Sequence, residues 1–159
     1  MTIDPKLDDE YGVDFVFREG LSAVIINKKY GYINAAGKPV IPADFDFAEN
    51  FSDGLARVMI GDKAGFIDRA GKIVIPLKYD RAARFSEGLG LVNIGWTPGK
   101  NTDDPGYNAG KWYYIDMRGK IVFPTGYDYA EEFSESLALV RVDGKIGYID
   151  KNGVYVIAP

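Results

Sequence analysis

Carboxylates carry most of the chemical potential of this chain, because it has no histidine and no cysteine. Asp46, Asp80 and Asp128 each follow an aromatic residue, as Phe45-Asp46, Tyr79-Asp80 and Tyr127-Asp128, and Asp103-Asp104 and Glu131-Glu132 are adjacent acid pairs. Carboxylates held close together can divide acid and base roles or gather a hard cation such as Ca²⁺. Repetition argues against such a site at Asp46, Asp80 and Asp128: an active centre is single, whereas a turn cap recurs with the turn it closes. Asn101-Thr102-Asp103-Asp104 is too short and irregular for an EF-hand loop. The missing histidine and cysteine exclude Ser-His-Asp and Cys-His catalysis, cysteine or histidine zinc sites and disulfides. No G-x-x-x-x-G-K-[ST] phosphate cradle is present. The expectation is a non-enzymatic protein that takes neither cofactor nor metal.

A binding role has better candidates. Residues 95–110 contain Trp96, Lys100, Asp103, Asp104 and Tyr107, and Trp112 follows. Aromatic anchors set among polar groups are typical of interface hot spots, and the two aspartates could pair with a partner's Lys or Arg. These six residues are the expected partner-binding set. A carbohydrate or small-ligand module, with Trp96, Tyr107 and Trp112 as stacking platforms, is the alternative. The bland reading is a tolerated loop whose Trp packs on its own sheet.

The 159 residues carry a formal charge of −4, with 47% hydrophobic and 14% aromatic content. That composition fits one folded domain. The acidic balance disfavours nucleic acid, whose phosphates call for clustered Lys and Arg, and suits a basic protein partner. Lys38, Lys72 and Lys120 read as solvated edge protection beside turns. No apolar run is long enough to cross a bilayer, and the first fifteen residues, with Asp4, Asp8, Asp9 and Glu10, lack the pattern of a leader. A cytoplasmic protein is expected.

The elements that would position these residues repeat. Phe17-x-x-Gly20-Leu21, Phe51-x-x-Gly54-Leu55, Phe85-x-x-Gly88-Leu89 and Phe133-x-x-Ser136-Leu137 begin 34, 34 and 48 residues apart, so one copy carries 14 extra residues. A fixed period of this size marks an array of small supersecondary units. Within each copy Ser22-Val24-Ile26, Ala56-Val58-Ile60, Gly90-Val92-Ile94 and Ala138-Val140-Val142 alternate with period two, which predicts a strand with that column in the core. A second strand is expected at Tyr32-Ile33, Phe66-Ile67, Tyr114-Ile115 and Tyr148-Ile149, reached through tight turns such as Gly61-Asp62 and Asp143-Gly144. Asn34, Asp68, Asp116 and Asp150, each three residues before a glycine, predict type I turns into a third strand that stops at Pro42, Pro76 and Pro124. The connector after it, with Ala48, Ala82 and Ala130, should plug the junction with its aromatics, with a short helical turn as an option.

The predicted fold is therefore all-β: about four three-stranded antiparallel meanders in an open, solenoid-like array. A closed small propeller or barrel is the alternative. Residues 1–16 form an N-terminal cap segment and 17–159 a single domain, with repeats at 17–50, 51–84, 85–132 (inserted loop 95–110) and 133–159.

Lys29-Tyr30-Gly31-Tyr32-Ile33-Asn34, Lys63-Ala64-Gly65-Phe66-Ile67-Asp68, Lys111-Trp112-Tyr113-Tyr114-Ile115-Asp116 and Lys145-Ile146-Gly147-Tyr148-Ile149-Asp150 recur in fixed order with the Ile-Pro, Tyr-Asp and Phe-Ser-Glu-Gly-Leu segments. In this the chain resembles the WG-repeat family, also called KWG repeats, from Phe17 onward. The eponymous Trp survives only at Trp112, where Tyr113 replaces the following glycine and puts the close backbone approach of the other copies in doubt. The resemblance implies a bacterial, non-catalytic binding or scaffold protein. Small size, acidity, the absence of catalytic groups and the single elaborated loop suggest a concrete version, an immunity or inhibitor protein that neutralises a partner toxin.

Overall fold

The computed structural model describes residues 16–97 and 108–159. Every regular element among them is a strand, and no helix there is long and apolar enough to cross a membrane. The chain divides into two compact units between Leu77 and Lys78. The first unit holds a three-stranded antiparallel sheet of β1 (Leu21–Ile26), β2 (Lys29–Asn34) and β3 (Pro39–Phe45). Beside it lies a four-stranded sheet of β4 (Phe47–Ala48), β5 (Leu55–Ile60), β6 (Lys63–Asp68) and β7 (Ile73–Tyr79), the last running over the division. The second unit holds β8 (Arg81–Ser86), β9 (Leu89–Thr97) and β10 (Asn108–Ile115) in one sheet. Its other sheet is built from β11 (Tyr129–Ala130), β12 (Leu137–Val142), β13 (Lys145–Asp150) and β14 (Tyr155–Ile157). None of the four sheets closes on itself.

Turn chemistry sets this frame. Asn34 Oδ1 accepts from the N–H groups of Ala36 and Lys38, and the Gly37 N–H bonds back to Asn34 O, with Gly37 at φ 70°. Asp68, Asp116 and Asp150 make the same bonds, so the four Asx side chains are spent on local backbone donors. Phe-x-x-Gly-Leu is a second tight turn. Ser52 and Leu55 exchange backbone bonds of 2.9 and 3.1 Å, while Asp53 and Gly54 both take positive φ. In the last copy Ser136 holds that conformation, φ 64°, without glycine's freedom.

Two expectations about strands are corrected. The third strand does not stop at proline, because β3 continues through Pro42 and β7 through Pro76. Tyr32 pairs with Ile41 but Tyr30 with Phe45, so β3 bulges around Pro42 and its missing N–H costs no ladder bond. The connector's aromatics do plug the junctions, Phe45 and Tyr127 lying in the cores, but its backbone is strand rather than a helical turn. Its residues form β4, β8 and β11, each paired with the first hairpin strand of the following copy. Asp46 N–H bonds Met59 O at 2.9 Å and Glu49 N–H bonds Arg57 O at 3.0 Å, extending the β4–β5 pairing on both sides. Four short strands thus fit within one 34-residue period.

The core lies between the sheets of each unit. In the first unit Leu21, Tyr32 and Ile41 on the trailing face of one repeat pack against Phe51, Ala56, Val58 and Ile67 of the next. Leu91, Tyr114 and Phe123 meet Phe133, Ala138, Val140 and Ile149 in the same way in the second unit. The Tyr32 and Phe51 rings lie 5.0 Å apart, and Tyr114 and Phe133 5.1 Å. Tyr32 and Tyr114 donate to the backbone oxygens of Glu49 and Glu131 at 2.6 and 2.7 Å, and burial pushes both phenols well above their usual pKa. The alternating column is buried at its first two positions, whereas Ile60 and Ile94 near the hairpin ends are exposed.

Tyr113 has the consequence its substitution suggests. A Cβ on Gly31 would lie 2.7 Å from Ile41 O, and one on Gly65 2.6 Å from Ile75 O. Only glycine lets the third strand approach so closely. Where Tyr113 stands instead, residues 121–127 keep only the isolated bridges Ile115–Ile121 and Trp112–Tyr127.

Candidate functional site

Each junction described within a unit is fastened by polar contacts of one pattern. Asp46 Oδ2 accepts from the Gly61 N–H at 2.7 Å and its other oxygen pairs with Lys29; Asp128 does the same with the Asp143 N–H at 2.7 Å and with Lys111. These bonds hold the Asp46 and Asp128 carboxyls below the usual aspartate range, the lysine hydrogen bond being the main cause. Asp116 and Asp150 are lowered chiefly by the backbone N–H groups of Lys120 and Val154. Carboxylates held this way are anchored acceptors, and the row of aspartates is structural. The acid pair Glu131-Glu132 is also engaged, Glu132 with Arg84 at 2.8 Å and Glu131 with the Tyr129 hydroxyl at 3.1 Å.

The third repeat keeps the pattern and then departs from it. Asp80 Oδ2 accepts from the Gly95 N–H at 3.0 Å, at the position of Gly61 and Asp143. In the other hairpins the chain turns here. In this one Gly95 (φ 85°) and Gly110 (φ 66°) face each other across the hairpin, and the strands run on through the pairs Trp96–Ala109 and Thr97–Asn108. A side chain at Gly110 would collide with Asn93, whose Oδ1 would sit 2.3 Å from the new Cβ. Asn93 is buried and donates through Nδ2 to Ala109 O at 3.0 Å, which ties the extension to its base. The Arg81 guanidinium stacks over the Trp96 ring at 4.4 Å from its centroid. The inserted residues thus lengthen β9 and β10 at both ends of 98–107.

Among the expected partner-binding residues, Trp96 is half-buried beneath Arg81, and Trp112 is half-buried on β10 against the core of the second unit. Lys100, Asp103, Asp104 and Tyr107 lie outside the described residues. Trp112 lines a groove of about 470 Å³ with Arg84, Leu91, Tyr129, Glu131 and Glu132. Its hydrogen bond to Glu131 raises the Tyr129 phenol, and the Arg141 guanidinium lies 5.7 Å from the Tyr129 ring. Trp96 is not among the described residues that line this groove, so the two tryptophans mark separate places. Arg81, Arg84 and Tyr129 were not visible as site residues from sequence, because cross-strand neighbours leave no fixed spacing to read.

A search of family profiles matches the WG containing repeat at residues 30–63, 65–95 and 114–145. The chain belongs to the WG-repeat family. No curated protein and no solved structure matches it. The matched stretches break off at Gly95 and resume at Tyr114. The matched pattern therefore leaves out residues 96–113, the outer part of the extended hairpin with Trp96 and Trp112, while Asp80 and its bond to Gly95 belong to the part that follows it.

Proposed function

We propose that this WG-repeat protein is a non-catalytic, cytoplasmic binding protein that engages another protein through the extended β9–β10 hairpin. The observation that carries the reading is that hairpin: 14 residues added to one repeat, braced by Asp80, Asn93 and Arg81 at a base the other repeats of this chain close with a two-residue turn. Long insertions on a rigid repeat scaffold are where recognition concentrates. In sequence, Trp96 and Tyr107 are the aromatic anchors of this reading and Lys100, Asp103 and Asp104 its charged residues. The net charge of −4 favours a basic partner. The concrete version is an immunity or inhibitor protein that neutralises a toxin. Affinity capture from the source cells, followed by titration of the captured protein against Trp96→Ala and Asp103→Ala/Asp104→Ala chains, tests it. Either variant should weaken binding by about 2 kcal/mol or more if the hairpin holds the hot spot.

The groove beside Trp112 favours a second reading, a carbohydrate or small-ligand module. Aromatic faces at Trp112 and Tyr129 beside Arg84 and Glu132 are suited to stacking and hydrogen-bonding a sugar ring. Saturable quenching of tryptophan fluorescence by a glycan, abolished by Trp112→Ala and kept by Trp96→Ala, would select this reading over the first.

A further inference from the structure

The second unit has a pocket that shares no lining residue with the groove beside Trp112. Among the described residues it is lined by Lys78 and Tyr79 at the end of β7, Ile94 on β9, and Gly119, Lys120 and Ile121 after the Asp116 turn; its volume is about 500 Å³. That is within the range of small-ligand sites, which set a few polar groups in an apolar lining. The lining divides in that way here. Ile94 and Ile121 are exposed isoleucines and Tyr79 supplies a buried ring, while Lys78 and Lys120 bring two exposed ammonium groups and no carboxylate is among them.

Other cations of this unit are spent on acids. Lys111 pairs with Asp128, Arg84 with Glu132 at 2.8 Å, and Lys151 lies 3.9 Å from Glu87. Lys78 and Lys120 pair with no carboxylate among the described residues; Lys78 Nζ lies 5.2 Å from the centre of the Tyr79 ring instead. The acids nearest in sequence face backbone donors, Asp80 the Gly95 N–H and Asp116 the N–H groups of Arg118 and Lys120. Two unpaired ammonium groups beside aliphatic side chains, with lysine stems that are themselves apolar, complement a molecule that is anionic at one end and apolar along the rest.

The repeats separate this charge from the scaffold. At the places of Lys78 and Lys120 the chain has Asp44 and Lys72 one repeat earlier, and Gly126 and Val154 one repeat later. The apolar positions recur, as Ile60 with Ile73 and as Val142 with Tyr155, so a structural task accounts for them. The doubled positive charge does not recur. We propose that this pocket binds a free aliphatic carboxylate, a fatty acid of medium chain length. Its carboxylate is taken by the Lys78 and Lys120 ammonium groups, and its chain covers Ile94, Ile121 and the Tyr79 ring. The site stands whether or not the extended hairpin engages a protein.

Calorimetry of the full chain with sodium decanoate, below its micellar concentration, is the test. Decanoate should bind saturably at one site, and hexanoate at least about tenfold more weakly because the shorter chain covers less apolar surface. Decyltrimethylammonium, with the same chain and the opposite charge, should not saturate. Lys78→Glu/Lys120→Glu should weaken decanoate at least about tenfold and keep the parent's urea midpoint, since both side chains are exposed. Lys72→Glu and Trp112→Ala should leave decanoate affinity unchanged. Absence of saturation by decanoate, equal affinity for hexanoate or decyltrimethylammonium, or binding indifferent to the double charge reversal would overturn the proposal. So would an acetylated Leu-Leu-Glu peptide that binds more tightly than decanoate, since the occupant would then be an acidic segment of a protein.

Discussion

At the scale of single residues, the tyrosine in place of a WG glycine shows how one side chain edits a sheet. Gly31, Gly65 and Gly147 let a third strand pass where a Cβ would lie within 2.7 Å of a carbonyl oxygen, and Tyr113 replaces that strand by two bridges. Gly31→Ala should therefore cost about 1–3 kcal/mol, the range for overpacking a tight site, read as a lower urea midpoint. Ser136 points the other way. It holds φ 64° at an exposed turn and uses only its N–H, toward Glu87, so Ser136→Gly should stabilise the chain by about 1 kcal/mol in the same assay. The anchored aspartates set the acid limit. Because the folded carboxyls of Asp46, Asp116, Asp128 and Asp150 titrate below their unfolded values near 4, their contribution is complete above that pH and disappears as pH falls through the lower, folded values. The urea midpoint should be flat from about pH 7 to 5 and fall below about pH 4, less steeply in Asp128→Asn.

At the scale of elements, sequence and structure agree where a pattern is periodic and part where it is not. The valine column of Val24, Val58, Val92 and Val140 and the Asx turns are legible because period-two burial and turn chemistry act locally. The strands β4, β8 and β11 were not, since β4 and β11 are only two residues long and β8 carries a register shift, leaving no alternation to detect. Proline misled for the same reason: its effect depends on whether a bulge removes the need for its N–H. The inserted hairpin was legible as an exception to the period, but its bracing by Asn93 and by the Arg81 stack on Trp96 was not. The bracing yields a prediction. Deleting Trp96–Ala109 joins Gly95 to Gly110 and leaves Ile94 opposite Lys111, the register of Ile60 and Lys63 around the Gly61-Asp62 turn. Gly-Gly suits a two-residue hairpin turn. The shortened chain should fold with an unfolding midpoint close to that of the parent.

At the scale of the whole molecule, repetition accounts for the scaffold, and the proposed binding role is assigned to its exception. Nearly every recurring residue has a task in strand, turn or junction, and what is left over is the stretch 96–113 that the WG pattern leaves out. The net charge of −4 adds a kinetic expectation: association with a basic partner should slow several-fold as salt rises well above about 0.1 M, where the screening length drops below about 10 Å. The most direct test of the account is the affinity of the chain lacking Trp96–Ala109 for the protein captured by the parent, measured by calorimetry. The account predicts a loss of about 2 kcal/mol or more, roughly thirtyfold, with the unfolding curve unchanged. An affinity within about twofold of the parent's would contradict it.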